Sequence, residues 1–158
     1  MTDDVTRVWD LMKKIGIRML ASWDGRELHA RPMDAYVRRE DNAIFFLTDT
    51  RRHKDEEIRQ YGKVCLAFAD PSGQKYVSLA GHAEVSNDRG KVRELWGTPA
   101  KAWWNSSDDP DIRVLKVTPA EAEYWDSPGT TVAYVKMITA TMTGTPPDMG
   151  DNRKVAMG

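Results

Sequence analysis

Apolar positions along the chain first repeat at helical spacing and then at every second residue. Val5, Val8, Trp9 and Met12 fall on one face of a helix running from Asp3 to about Ile15. Asp3 or Asp4 would cap its start and Gly16 would end it. From there the period drops to two. Ile17, Met19 and Ala21 alternate with Arg18, Leu20 and Ser22, the pattern of a strand. Asp24-Gly25 is a hairpin turn signal, and a second strand is expected from about Glu27 to Val37. Asp41-Asn42 makes the next turn, and the run Ala43–Thr48 reads as a buried strand.

The segment His53–Tyr61 is polar except for Ile58 and Tyr61 on one side, which predicts a short helix. Lys63–Asp70 is an apolar strand closed by the turn Pro71-Ser72-Gly73, and Lys75–Ser86 is a longer strand. Asn87 or Asp88 opens a helix through Trp96, and Thr98-Pro99 opens another through Trp104. Asp111–Thr118 and Thr130–Ala140 supply the last strands. Residues 1–143 then form one domain, and the Gly-, Pro- and Asp-containing segment 144–158 reads as a frayed, flexible tail. Six or seven short strands joined mostly by hairpins, with helices at the periphery, predict a mainly β fold. A closed or nearly closed antiparallel barrel suits them better than a parallel sheet, because closure removes exposed edges.

Composition narrows the functional classes. The 158 residues are 41% hydrophobic and 30% charged, with a formal net charge of −1, so nothing in the charge attracts nucleic acid or an anionic membrane surface. No apolar run approaches the roughly 18 residues of a membrane span. The acidic start MTDDVTRVWD is unlike a secretory signal, and the single cysteine, Cys65, lies in the apolar run VCLAFA as a packing residue. Both features point to the cytoplasm. His29, His53 and His82 lack metal-ligand spacing, so no metal site is expected.

Three features carry candidate chemistry. Leu47-Thr48-Asp49-Thr50-Arg51-Arg52-His53-Lys54 runs from a buried strand into a helix start, bringing hydroxyls, backbone donors and cations together as an anion site does. Its bland reading is a solvated basic turn. Arg31-Pro32-Met33 places a proline inside a strand, which marks a plain edge, or a groove whose free backbone groups would meet a planar polar ligand. Six tryptophans supply flat apolar surface that is either core or a cover for a ring, and Trp125, before the turn Ser127-Pro128-Gly129, stands out.

Taken in order, these segments resemble the pyridoxamine 5′-phosphate oxidase-related FMN-binding split-barrel family, most of all its general stress protein 26-like branch. The resemblance runs from the first helix to about Val135. It is carried by Arg31-Pro32-Met33, FFLTDTRRHKDEEI (Phe45–Ile58), KVCLAFADP (Lys63–Pro71), YVSLAGHAEV (Tyr76–Val85) and the stretch Lys101–Gly129. It implies a six- to seven-stranded antiparallel split β-barrel that forms a homodimer, with FMN at the subunit interface. By position, Arg31 and Lys54 would contact the FMN phosphate, with His53 beside them. Arg31, Pro32 and Met33 would lie along the flavin, and Leu47 and Thr48 would line the ring and ribityl side. Tyr76 falls where the oxidases carry a glutamine near the flavin, and Trp125 would reach the site from the partner subunit. Arg52 replaces the serine usual before the phosphate-binding pair. The arginine-rich segment that grips pyridoxamine phosphate in true oxidases has no counterpart, which argues against that particular activity.

The resemblance thus implies an FMN-dependent oxidoreductase, drawing electrons from a nicotinamide. The alternative is a non-catalytic FMN-binding stress protein acting as a store or sensor. FAD, a deazaflavin or haem in the same barrel are further options; no histidine is identified as an axial ligand, and the near-neutral charge disfavours a long acidic cofactor tail.

Overall fold

The first helix, α1 (Asp4–Lys14), forms where the helical spacing places it, with Asp3 accepting a hydrogen bond from Thr6 N at 2.7 Å as its cap. It buries Val8, Trp9, Leu11 and Met12. The computed structural model describes residues 3–128, 130–148 and 150–158, and of residues 130–134 it describes the backbone. The strands are β1 (Ile17–Trp23), β2 (Leu28–Pro32), β3 (Tyr36–Arg38), β4 (Ala43–Asp49), β5 (Lys63–Asp70), β6 (Lys75–Ser86), β7 (Ile112–Asp126) and β8 (Asp151–Ala156). The remaining helices are α2 (Lys54–Gln60), α3 (Arg89–Leu95), α4 (Thr98–Lys101) and α5 (Thr130–Thr143).

All the strands pair antiparallel in one sheet of order β2-β1-β5-β6-β7-β4-β3, with β8 pairing β7 beside β4. This is the mainly β, split-barrel type of architecture expected, with eight strands rather than six or seven. The sheet is not closed, because β2 and β3 end it without pairing each other. Long β7 makes this possible. Its first half pairs with β4 from Ile112 to Val117, and its second half pairs with β8 from Glu121 to Asp126. Between the halves the β6–β7 register shifts at Ala80/Gly81. A Cβ at Gly81 would lie 2.7 Å from the Thr118 carbonyl oxygen, so only glycine fits this bulge.

Strand β4 is buried on both faces, and alternation divides its side chains between two cores. Ile44 and Phe46 join the main core with Leu20, Leu66, Phe68, Leu79, Leu115 and the α1 residues. Ala43, Phe45 and Leu47 face a second core made by Val92, Leu95, Ala100, Trp104, Ile112 and Val114. The strand therefore delivers its last residues, Thr48 and Asp49, to the seam between the sheet and the α4 region.

Three expectations need correction. The expected strand Glu27–Val37 is broken into β2 and β3, because Pro32 has no N–H for the ladder. Thr130–Ala140 is not a strand but part of α5, although its β-branched residues favour strands. The hydroxyls of Thr139, Thr141 and Thr143 donate to the carbonyls of Val135, Met137 and Thr139, each at 3.0 Å, so the helix satisfies its own polar side chains. Residues 151–156 are not a frayed tail. They form β8, which buries Val155 and is followed by buried Met157.

Candidate functional site

A cleft of about 1000 Å³ opens where β1, β2, the end of β4 and the α4 region meet. That lies at the top of the range of roughly 300–1,000 Å³ usual for small-molecule sites. Arg31, Pro32 and Met33 line one side, Leu47 and Thr48 the floor, and Lys54 one end. Pro99, Ala100, Trp103 and Trp104 form the opposite wall. Six of the nine expected residues are thus together in one chain.

The other three are elsewhere. His53 adopts a left-handed backbone conformation (φ 56°) at the head of α2 and turns its ring outward, 3.7 Å from Glu56 and 76% exposed. Tyr76 and Trp125 are register partners on β6 and β7 and do not line the cleft of their own chain.

The basic end of the cleft is an ordered network. Arg31 Nη2 donates to Ser22 Oγ at 3.1 Å, and Ser22 Oγ donates to Glu57 Oε1 at 2.7 Å. Lys54 Nζ donates to Glu57 Oε2 at 2.5 Å, one turn away on α2. Burial pulls the Arg31 guanidinium below its usual pKa, and the nearby Glu57 charge opposes this. Burial acts to raise Glu57. The hydrogen bonds from Lys54 and Ser22, with the charges of Lys54 and Arg31, outweigh it and hold the carboxyl below its usual range. Arg31 Nη1 is buried and finds no acceptor among the described residues. A desolvated guanidinium N–H without a partner is costly. Arg31 and Lys54 both line the cleft, so their side chains place two cations where an anionic group of a ligand would be held.

The far wall is equally constrained. Trp104, 8% exposed, donates its indole N–H to Asp49 Oδ2 at 3.2 Å. The same carboxylate receives Arg51 through its backbone N–H (3.1 Å) and guanidinium (3.3 Å). Trp103 is 60% exposed, with the Arg52 guanidinium 5.2 Å from its ring centroid. Tyr36 closes the cleft on the β3 side; burial, helped by the charge of Asp34 and opposed by Arg38, pushes its hydroxyl pKa up. The arrangement offers two cations at one end and flat apolar surfaces along the walls, which suits an elongated ligand with an anionic tail and a planar body.

Sequence reasoning overlooked Ser22 and Glu57, and among the tryptophans it singled out Trp125 rather than Trp103 and Trp104. The spacing Lys54-x-x-Glu57 on a short helix is a readable signal for one pair. The side of the sheet to which Ser22 points shows only once β1 and α2 are packed together.

Comparison with known proteins places the chain in a family. A family model for proteins described as pyridoxamine 5′-phosphate oxidase like matches residues 3–148. General stress protein 26 of Bacillus subtilis (strain 168) is 25% identical over 118 residues, covering 73% of this chain and 83% of that protein. The crystal structure of a protein assigned as general stress protein 26 from Jannaschia sp. CCS1 superimposes with a TM-score of 0.79 and 27% identity, over 97% of this chain and 98% of that one. A general stress FMN/FAD binding protein from Xanthomonas citri superimposes with a TM-score of 0.65 and 25% identity, covering 75% and 85% of the two chains. With its fold and nearly its whole length in agreement, the chain belongs to the pyridoxamine 5′-phosphate oxidase like family.

Proposed function

We propose that this protein is a cytoplasmic FMN-binding flavoprotein that works as an FMN-dependent oxidoreductase, taking electrons from a nicotinamide donor. The observation that carries the reading is the pairing of Arg31 and Lys54, linked through Ser22 and Glu57, in the lining of one large cleft. A phosphate offers acceptor oxygens to both side chains, and its charge suits two cations. Pro32, Met33 and Leu47 offer apolar surface to a planar ring, and Thr48 offers a hydroxyl toward a ribityl chain. When bound, the flavin supplies the hydride and electron transfer chemistry, while the protein positions it and tunes it through nearby charge. No helix of the described residues is long and apolar enough to cross a membrane.

The same reading places a second copy of the chain over the cleft. Tyr76 and Trp125 form a cross-strand aromatic pair, with Tyr76 36% exposed, on a part of the sheet that does not face the cleft of its own protomer. In a homodimer with the flavin at the subunit interface, that pair reaches the partner's cleft.

The test is an absorption spectrum of the purified protein with added FMN, before and after anaerobic addition of NADH or NADPH. Bound flavin bands that bleach support the oxidoreductase. Bands that persist favour the alternative, an FMN store or sensor, and absence of uptake overturns the flavin assignment.

A further inference from the structure

Behind the two cations of the cleft sits a carboxylate that touches both, one directly and one through a hydroxyl. Glu57 does not line the cleft, and its side chain is 15% exposed. Its Oε2 accepts from Lys54 at 2.5 Å, and its Oε1 accepts from Ser22 at 2.7 Å, whose hydroxyl oxygen accepts from Arg31 at 3.1 Å. One unit of negative charge is thus shared by the two groups assigned to the ligand's phosphate. In a half-buried setting such a charge is poorly screened, so it acts on anything bound to its partners.

We infer that Glu57 is a positioning residue that sets the phosphate preference of the cleft. By cancelling part of the charge of Arg31 and Lys54, it lowers their preference for a doubly charged phosphate monoester over a singly charged phosphodiester. The cleft thereby admits FAD alongside FMN. The FAD pyrophosphate carries one negative charge on each phosphorus, so the phosphate next to the ribityl chain meets the cation pair as a singly charged group, with the second charge farther away. The inference rests on the flavin reading above and deepens it.

The physical reason is a difference in scaling. A doubly charged phosphate gains twice as much from each cation as a singly charged one, and it is also repelled twice as strongly by the carboxylate behind them. Removing that charge at constant shape therefore helps the monoester about twice as much, in the logarithm of affinity, as the diester. Riboflavin, with no phosphate, feels neither effect. A role in mere structural support has a different signature, since loosening Lys54 and Ser22 would weaken every ligand together.

Glu57→Gln is the variant to make, because the amide is isosteric and leaves Ser22 and Lys54 each a hydrogen-bonding partner. Dissociation constants for FMN, FAD, riboflavin and inorganic phosphate at pH 8 would be measured on the full chain, with circular dichroism to confirm the fold. FMN and inorganic phosphate are expected to bind about tenfold more tightly to Glu57→Gln, FAD about threefold, and riboflavin unchanged. Glu57→Asp, which keeps the charge, is expected to keep the native ratio of FMN to FAD affinity. An unchanged FMN-to-FAD ratio in a folded Glu57→Gln protein would overturn the inference, as would weaker binding of all four ligands. If no flavin binds the native protein but inorganic phosphate still tightens in the variant, Glu57 keeps this role and the flavin reading falls instead.

Discussion

Trp104 donates its indole N–H to Asp49 at 3.2 Å, joining two residues 55 positions apart inside the protein. This bond fastens the wall of the cleft to the last residue of its floor. Asp49 also caps the turn that carries Arg51 and Arg52 into α2, so one carboxylate holds both sides of the site in place.

Trp104→Phe keeps an aromatic ring in the second core and removes only the donor. A loss of about 1 kcal/mol in urea unfolding is expected, together with weaker FMN retention. Asp49→Ala should cost more, about 2 kcal/mol, because it leaves the buried indole N–H and the Arg51 backbone donor without an acceptor. Equal stability of the two variants would show that the bond does not carry this load.

Arg31→Ala and Lys54→Ala should each lower FMN affinity while leaving riboflavin binding nearly unchanged. Removing both should cost several kcal/mol of FMN binding. The two effects should not add, because Glu57 and Ser22 link the side chains. Stoichiometric FMN in the double variant would remove the phosphate assignment.

Trp125→Ala tests the shared site. If this ring serves the partner's cleft, the variant should release FMN faster yet bind inorganic phosphate as the native chain does. Sedimentation that finds only monomer in the flavin-loaded native protein would refute the arrangement.

Tyr124 gives a prediction in alkali. Its hydroxyl is buried and donates to Asp4 at 2.8 Å, and burial first, with that hydrogen bond and charge next, pushes its pKa up from 10.0 to about 12. The unfolded chain releases this proton near the ordinary value and the folded chain only near the raised one. The contribution to stability is therefore complete below about pH 10 and is lost as pH rises toward 12. Tyr124→Phe should be less stable at neutral pH and should lose less stability across that window, as followed by thermal unfolding.

The parts of the fold legible in the sequence are those fixed by local pattern. The capped α1, the β5 and β6 strands and the Asp88-capped α3 all form where spacing and caps place them. The errors arise where a distant contact decides. Val155 and Met157 sit in a polar segment that only the edge of β7 makes into a strand. The residues of α5 have strand propensity, but the threonine hydroxyls find acceptors one turn back along a helix. In the site, Lys54 was readable as a cation beside a strand end, and Arg31 joined it through the family resemblance. The carboxylate that connects them was not, because the Ser22 bridge joins residues 35 positions from Glu57.

The division of the outer edge of β7 between β4 and β8 has a consequence for how the chain is made. Strand β8 emerges from the ribosome after every element it packs against, including all of β7. Until it arrives, Glu121–Asp126 displays a row of unpaired backbone donors and acceptors while the rest of the sheet is able to form. A released chain whose β8 has not yet docked carries a sticky edge that a neighbouring copy could join. A chain ended just before Gly150 should therefore give more aggregate on release or refolding than the full chain, whereas one ended before β7, which lacks this edge altogether, should not aggregate through it.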